Sequence, residues 1–285
     1  MKFLVLGCNG MAGHMISLYL KEQGYDVEGF ARRESHFIKT TVGDVRDFAL
    51  LGETVMGGNY AAVVNCIGVL NKSAENDHEA AVFLNAYLPH FLAKLTENIK
   101  TQIIHISTDC VFSGSRGNYA ETDFPDGQLF YDRSKALGEL VNNKDVTFRM
   151  SIIGPDMNQN GIGLINWFMQ QEGWVRGYKN ALWTGQTTLQ LAKTIENAVI
   201  QGVHGLHNMV PEKSISKYEM LLLFNKYLRS EPLDVIPEEN FKIDKSLKRT
   251  NFESFSYKIP DYEMQISELG EWMRNHRQLY PHYVI

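Results

Sequence analysis

Short apolar runs alternate with longer amphipathic stretches over the first 154 residues. The runs are rich in β-branched residues and end abruptly in polar residues or glycine, as buried strands of parallel sheets do. Strands that alternate with helices imply right-handed βαβ units. The sequence therefore predicts an α/β fold of the Rossmann type, with a doubly wound and mainly parallel sheet. The predicted strands lie at Phe3–Leu6, Tyr25–Phe30, Thr41–Val45, Ala61–Gly68, Gln102–Phe112 and Val146–Gly154.

The pattern changes beyond residue 154, where aromatic and glycine-bearing stretches follow. No repeat, low-complexity segment or linker separates the two parts, so we expect a smaller C-terminal substrate lobe interwoven with the first domain. The Rossmann domain is predicted at 1–154, with 187–203 returning to it, and the substrate lobe at 155–186 and 204–285. The other predicted elements are loops at Gly161–Phe168 and Gly177–Gly185, a strand at Gly205–Val210, and helices at His78–Leu95, Thr187–Gln201, Ser214–Arg229 and Ile266–Arg277.

Composition and charge exclude several classes of function. With 44% hydrophobic residues, 21% charged residues and a net charge of −5, the chain has no basic field for nucleic acid. No apolar stretch approaches the ~20 residues that span a bilayer, and Met1–Leu6 is too short for a signal segment. Three scattered cysteines suit neither a disulfide framework nor a metal site. We therefore expect a cytoplasmic protein that binds no metal, nucleic acid or membrane.

Glycines 7, 10 and 13 open a helix directly after the first strand. Gly7 permits a tight turn, Gly10 lets the backbone approach a pyrophosphate, and Gly13 allows close packing of the helix on the strand. The helix N-terminus adds amide donors and the positive end of a dipole. The predicted dinucleotide-binding residues of this turn are Gly7, Asn9, Gly10, Met11 and Gly13.

The residues after the second strand indicate which dinucleotide binds. NAD-binding proteins usually end this strand with a carboxylate for the ribose 2′-hydroxyl. Here the strand leads into Arg32 and Arg33, and Glu28 lies too early. Guanidinium groups bind phosphate through paired hydrogen bonds, so the two arginines predict a 2′-phosphate and hence NADP.

Two further strand ends are predicted to contact the same cofactor. Asp44 and the backbone of Val45 are placed to meet an adenine edge. The fourth strand ends in mainly small residues, Cys66, Ile67 and Gly68, and we expect their backbone to contact the cofactor.

Tyr131 and Lys135 are four residues apart at the start of a predicted helix, which places both side chains on one face. A phenol has an ordinary pKa of about 10, and a neighbouring ammonium favours the phenolate. We expect Lys135 to lower the pKa of Tyr131, so that Tyr131 exchanges a proton with a substrate oxygen near neutral pH. Thr108 lies at the C-terminal end of the fifth strand, where open α/β sheets place their ligands, and can hold that oxygen.

With these residues in place, the chain resembles the extended short-chain dehydrogenase/reductases, and within them the dTDP-4-dehydrorhamnose reductase group. The resemblance spans nearly the whole chain, and its specificity comes from the order of its motifs. The motifs are Gly7-Cys-Asn-Gly-Met-Ala-Gly13, Asn85-Ala-Tyr-Leu-Pro89, Ile106-Ser-Thr-Asp-Cys-Val-Phe-Ser-Gly114, Tyr131-x-x-x-Lys135, Arg149-x-Ser151 and Trp183-Thr-Gly-Gln-Thr-Thr188.

The resemblance implies NADPH-dependent reduction of the 4-keto group of a nucleotide-activated 6-deoxy sugar. Tyr131 would protonate the developing alkoxide, Thr108 would bind the same oxygen, and Lys135 would also hold the nicotinamide ribose. Asn85 would belong to the cofactor site, and the resemblance allows a homodimer. The implied substrate-binding residues are Asp109, Cys110, Asn166, Trp167, Tyr178 and Trp183.

Two alternative functions stay open at this stage. A nucleotide-sugar 4-epimerase uses the same three catalytic residues with a retained NAD, although Arg32 and Arg33 favour exchangeable NADPH. A non-catalytic NADP-binding regulatory subunit is the other, although such proteins can lose the tyrosine or lysine that this chain keeps. The related 4,6-dehydratases carry a glutamate at the position of Cys110, so the carboxylate needed for elimination is missing here.

Overall fold

The computed structural model describes all 285 residues and has a seven-stranded sheet at its centre. Its strands, numbered in chain order, are β1 (Lys2–Leu6), β2 (Asp26–Ala31), β3 (Lys39–Val42), β4 (Ala62–Asn65), β5 (Gln102–Ile106), β6 (Val146–Arg149) and β10 (Gly205–Asn208). The order across the sheet is β3-β2-β1-β4-β5-β6-β10, and every neighbouring pair is parallel. The predicted Rossmann-type α/β fold is therefore confirmed. The chain reverses its direction of winding between β1 and β4, which is where such sheets bind ligands.

Helices cover both faces of this sheet, because side chains on each strand point alternately to opposite faces. Val5 of β1 packs in one core with Ile195, whereas its neighbour Leu4 packs in a second core with Leu51. A continuous helical run from His78 to Leu95 includes a π-helical segment at Val82–Tyr87. The helices are α1 (Met11–Glu22), α2 (Phe48–Gly57), α3 (Asn71–Asn76), α4 (His78–Ala81), α5 (Leu88–Leu95), α6 (Phe130–Leu137), α7 (Leu164–Met169), α8 (Thr188–Gln201), α9 (Lys217–Tyr227) and α10 (Tyr262–Asn275).

A smaller lobe has its own sheet and its own core. Its central strand β8 (Trp174–Trp183) pairs with β11 (Ile215–Ser216) in antiparallel fashion and with β12 (Asp234–Asp244) in parallel fashion. Buried side chains from β8, α9 and α10 pack together, and they include Trp183, Phe224 and Leu269. A short parallel pair, β7 (Ser151–Ile153) and β9 (Gly185–Thr187), lies outside both larger sheets.

Two predicted loops are in fact regular structure. Gly177–Gly185 was expected to be a loop, but most of it belongs to β8, and β9 begins at Gly185. Glycine occurs at 177 because a Cβ atom there would lie 2.8 Å from the side chain of Tyr218, so the residue marks close packing rather than a turn. The predicted loop at Gly161–Phe168 likewise contains most of α7.

Two predicted boundaries also change. The strand expected at Val146–Gly154 leaves the large sheet after Arg149, and its second half becomes β7 because it pairs with β9. The strand at Gly205–Asn208 was assigned to the substrate lobe, but it is the edge strand of the large sheet and pairs with β6. None of the helices is long and apolar enough to cross a membrane.

Candidate active site

The helix α6 carries Tyr131 and Lys135 one turn apart, and both side chains are buried. Two carboxylates bind the free amides at the start of this helix. Glu75 accepts a hydrogen bond from the Tyr131 N–H at 2.9 Å, and Asp132 accepts one from the Leu129 N–H at 3.2 Å. Negative charge at a helix N-terminus is stabilising, so these contacts fix where the helix begins and hence where Tyr131 lies.

The environment of Tyr131 differs from the sequence-based expectation. Burial raises the pKa of Tyr131 above its ordinary value, and Cys110 and Asp109 act in the same direction. The hydroxyl of Thr108 lowers this pKa, but its effect is smaller than that of burial. The pKa of Tyr131 is therefore raised, not lowered as the neighbouring lysine predicted, and Tyr131 is held as the neutral phenol.

Lys135 makes its contacts on the strand side of the site. Its Nζ atom donates a hydrogen bond to the carbonyl oxygen of Ile106 at 2.7 Å and lies 3.5 Å from His105 Nε2. Burial lowers the pKa of Lys135 to about 8, although Glu139 acts in the opposite direction. The lysine therefore titrates just above neutral pH, so a charged group that lies beside it can change its protonation state there.

A buried ion pair supports the end of β5 behind Lys135. Arg149 donates two hydrogen bonds to Glu139, from Nε at 2.9 Å and from Nη2 at 2.6 Å. Ser107 donates a third hydrogen bond to Glu139 at 2.7 Å. Paired and hydrogen-bonded charges are tolerated in a protein interior, so this network joins the end of β5, β6 and the segment after α6 into one unit.

Thr108 lies beside this unit, at the end of β5. Its hydroxyl accepts a hydrogen bond from the Cys110 N–H and donates one to Asp109, both at 3.1 Å. Asp109 also accepts a hydrogen bond from Ser151 at 2.6 Å. Burial raises the pKa of the Cys110 thiol to about 12, so Cys110 is a neutral group in this part of the site.

The glycine turn has the geometry that the spacing predicts. Gly7 adopts a positive φ of 76°, and a Cβ atom on Gly13 would lie only 2.1 Å from the Gly7 carbonyl oxygen. Asn9 donates a hydrogen bond to the Arg33 carbonyl oxygen at 2.9 Å, which ties the turn to the loop after β2. The exposed Gly10 is the N-cap of α1. The start of α1 is therefore compact, with its first amides facing the switch point of the sheet.

Arg32 and Arg33 follow β2 as exposed residues, and neither guanidinium forms an ion pair or a hydrogen bond within the protein. Glu28, in contrast, is engaged at the other side of the strand. It pairs with Lys39 at 2.7 Å and accepts a hydrogen bond from Tyr60 at 2.5 Å. The charged side chains between β2 and Glu34 are therefore two unpaired arginines, which is the environment that a 2′-phosphate requires.

The residues predicted to contact the cofactor after β3 and β4 differ in their exposure. Asp44 is exposed after β3, where its carboxylate accepts the Arg46 N–H at 2.9 Å, while Val45 is buried. Cys66 and Ile67 are half-buried after β4, and Gly68 is exposed next to them. Met11 is half-buried with its sulfur close to Gly163 of the smaller lobe.

Asn85 has a different place from the one expected. It is fully buried in the π-helical segment, where it donates to and accepts from the backbone of Val69 at 3.0 and 2.9 Å. It also donates to Ser134 of α6 at 3.0 Å. Asn85 therefore positions the loop after β4 against α6, and both of its amide protons are used within the protein.

Of the four predicted substrate residues of the smaller lobe, two are exposed and two are buried. Trp167 and Tyr178 are exposed, by 41% and 38%, and are free to contact a ligand. Trp183 is buried and packs on Tyr262 at 5.5 Å between ring centres. Asn166 is buried too, and its side chain donates to the carbonyl oxygens of Gln159 and Gly161 and accepts from Tyr283, so its hydrogen bonds are made within the protein. Phe168, an aromatic residue of the same stretch, also lies in the core.

Two lysines near the site were not predicted from the sequence. Lys217, the first residue of α9, lies 5.4 Å above the Trp183 ring and within electrostatic range of Asp109 and Cys110. Lys245 acts on Cys110 and Asp132 from the segment after β12. Neither lysine forms an ion pair within the protein, and burial lowers the pKa of Lys217. No local pattern in the sequence signals them, since only the fold of the smaller lobe brings them to this edge.

A family model described as the RmlD substrate binding domain matches residues 1–272. Among curated proteins, a probable low-salt glycan biosynthesis reductase of Haloferax volcanii is 31% identical over 157 residues, which cover 52% of each chain. A dTDP-4-dehydrorhamnose reductase of Streptomyces griseus is 30% identical over 48% of this chain and 43% of its own. The beta subunit of methionine adenosyltransferase 2 of Danio rerio is 30% identical over 48% of this chain and 40% of its own. The chain thus spans about half the length of the curated relatives that it matches.

Solved structures show the same fold over almost the whole chain. A dTDP-4-dehydrorhamnose reductase of Clostridium acetobutylicum has a TM-score of 0.78 at 20% identity, covering 96% of this chain and 100% of its own. One from Bacillus anthracis, in complex with NADP, has a TM-score of 0.77 at 19% identity, covering 94% of this chain and 98% of its own. At these identities the likeness concerns the fold.

Proposed function

Because the chain belongs to the RmlD substrate binding domain family, we propose that it catalyses NADPH-dependent reduction of the 4-keto group of a nucleotide-activated 6-deoxy sugar. The observation that carries the proposal is the meeting of Tyr131, Lys135 and Thr108 at the carboxyl edge of the sheet, beside the glycine turn of α1. Each of these groups has a defined part in reducing a carbonyl.

Tyr131 is the proton donor to the oxygen of the carbonyl. Its raised pKa keeps it protonated at neutral pH, which is the state that an acid needs when negative charge develops on the neighbouring oxygen. Thr108 would donate its hydroxyl proton to the same oxygen in place of its hydrogen bond to Asp109, and Lys135 supplies positive charge close by. Burial of all three groups excludes water and strengthens these interactions.

The residues present fit a bound NADPH. The glycine turn leaves room for a pyrophosphate at the start of α1, and the unpaired Arg32 and Arg33 suit the 2′-phosphate. When bound, NADPH supplies the hydride that the carbonyl carbon accepts. Asp44, Val45 and the Cys66–Gly68 backbone complete the cofactor site in this proposal.

The sugar nucleotide would bind between the large sheet and the smaller lobe. Lys217 and Lys245 supply unpaired positive charge suited to its diphosphate, and Trp167 and Tyr178 offer exposed rings suited to its base. In this proposal the Rossmann domain holds the cofactor and the smaller lobe holds the substrate. We also propose that the protein works in the cytoplasm, where NADPH is available, and forms a homodimer.

A regulatory role is the second candidate, and a specific observation favours it. The methionine adenosyltransferase 2 beta subunit, whose name marks it as part of a larger enzyme, is about as similar to this chain as the reductases are. The intact and well-positioned Tyr131 and Lys135 favour catalysis, since a purely regulatory protein has no need of a buried proton donor.

A panel assay separates the candidates. The protein is mixed with NADPH and 4-keto-6-deoxy sugar nucleotides that differ in base, and separately with the matching 4-hydroxy sugar nucleotides; NADPH oxidation is followed by absorbance and the sugars are analysed. A reductase oxidises NADPH in proportion to the sugar reduced. A 4-epimerase interconverts 4-hydroxy sugar nucleotides without net oxidation, and a regulatory subunit binds NADPH but leaves every sugar unchanged.

A further inference from the structure

A fully buried histidine lies behind Lys135 and takes no part in the function proposed above. His105, on β5, has no exposed surface, and its ring contacts Lys135 of α6 and Asn65 of β4. Nε2 lies 3.5 Å from Lys135 Nζ, and Nδ1 lies 3.3 Å from the side-chain nitrogen of Asn65. Asn65 in turn accepts a hydrogen bond from the Ile67 N–H at 3.2 Å, in the loop proposed to meet the cofactor.

These contacts fix the position of the proton on the imidazole ring. The oxygen of Asn65 is committed to Ile67, so its NH₂ group faces the ring and donates to Nδ1. An Nδ1 atom that accepts a hydrogen bond carries no proton, and burial keeps His105 neutral by lowering its pKa well below the ordinary value. The single proton of the ring is therefore on Nε2, and it points at Lys135.

An N–H group that points at an ammonium repels it, whereas the same N–H group donates a hydrogen bond to an uncharged amine. A neutral Lys135 amine satisfies both of its contacts, since it donates to the Ile106 carbonyl oxygen and accepts from His105 Nε2. A charged lysine satisfies the first contact and is opposed by the second.

We propose that His105, oriented by Asn65, is a positioning residue that holds Lys135 and disfavours its ammonium form. Lys135, whose Nζ atom donates to the Ile106 carbonyl oxygen, is thereby coupled through His105 and Asn65 to the Ile67 loop. A ligand that moves this loop or offers oxygen atoms to Lys135 changes the protonation state of the lysine.

The other titratable groups around Lys135 do not disfavour its ammonium form. Glu139 and Cys66 face Lys135 and favour its charged form, and His90 is the further group that acts on His105. Burial opposes the charge on Lys135 in any case, so the specific contribution of His105 must be measured against a variant that keeps the burial.

The test measures the protonation of Lys135 directly, without cofactor or sugar. The protein is labelled with ¹³C at lysine Cε, the Lys135 signal is identified by its loss in Lys135→Met, and the spectrum is followed from pH 6 to pH 11. The wild type should show a transition near 8. His105→Phe keeps the ring volume but removes the Nε2 proton, so the transition should move upward by roughly one pH unit.

Two further variants make the result specific. Asn65→Leu keeps His105 but frees its ring to carry the proton on Nδ1 and accept from the ammonium, so it should also raise the transition. His207→Phe changes another buried histidine of the same sheet, two strands away on β10, and should leave the transition unmoved. A transition that stays in place or falls in both His105→Phe and Asn65→Leu would overturn the proposal. If one variant does not fold, the other decides in the same way.

This inference rests on the proposed function in one respect, because that function supplies the ligand that Lys135 would contact. Its test needs neither NADPH nor a sugar nucleotide, so it can fail while the reductase activity is found, and it can succeed if the panel assay shows no turnover.

Discussion

Tyr131 and Lys135 lie one turn apart on the buried face of α6, yet burial raises the pKa of the tyrosine above its ordinary value. Lys135 instead donates to the Ile106 carbonyl oxygen, and its own pKa falls to about 8. The pair therefore consists of a neutral acid and a lysine that is close to losing its charge. For a reductase this is a suitable resting state, because the acid must carry its proton when the carbonyl is reduced.

The fit of α1 against β1 predicts a large effect of one methyl group. Gly13→Ala would bring a Cβ atom within 2.1 Å of the Gly7 carbonyl oxygen, so α1 has to move away from the turn. We expect a loss of stability of about 1–3 kcal/mol from overpacking, and weaker NADPH binding. Denaturant titration and fluorescence binding measure the two effects. Gly52→Ala, in α2 with nothing near its Cβ, is the control and should be neutral or stabilising.

The choice of cofactor is tested at the loop after β2. Replacing Arg32 and Arg33 with alanine should weaken NADPH binding far more than NADH binding, because only NADPH carries the phosphate that they would hold. Lys39→Ala removes a nearby charge that is already paired with Glu28, and it should leave the preference unchanged. Titrations of each variant with both cofactors provide the comparison, and an equal loss for NADPH and NADH would show that the arginines have another role.

The glycine turn and the Tyr131–Lys135 pair could be predicted because both depend on spacing within one or two neighbouring elements. The pKa of Tyr131 could not, since it is set by burial and by Cys110 and Asp109, which come from another element. His105 left a trace in the sequence as a polar residue within the apolar run of β5, but its partners Asn65 and Lys135 are brought to it by the fold.

The smaller lobe was the least predictable part. Gly177 is typical of a turn when seen in the sequence, but the packing of Tyr218 against β8 is what requires it. β12 (Asp234–Asp244) was missed because most of its residues are exposed and polar, so it lacks the alternation that marks a half-buried strand. Lys217 reaches the site only because β8 and β11 pair beside it.

Lys135 gives the protein a dependence on pH whose sign follows from its burial. The folded protein releases the Lys135 proton near pH 8, whereas the unfolded chain keeps it until its ordinary pKa of 10.5. Between these values the unfolded state binds more protons, so the free energy of unfolding rises with pH on account of this group. Urea titrations from pH 7 to pH 10 should show the wild type gaining stability relative to Lys135→Met. A constant difference between the two proteins over that range would contradict the assigned environment.

The central claim is that Tyr131 donates the proton when a 4-keto sugar nucleotide is reduced, and Tyr131→Phe tests it most directly. The substitution keeps the ring and its packing, so NADPH affinity should be nearly unchanged, while the single-turnover rate of reduction should fall by about 10²–10⁴-fold. Tyr60→Phe removes the hydroxyl of a buried tyrosine that contacts Glu28, away from the site, and should reduce the sugar at the wild-type rate. Reduction by Tyr131→Phe at the wild-type rate would contradict the account.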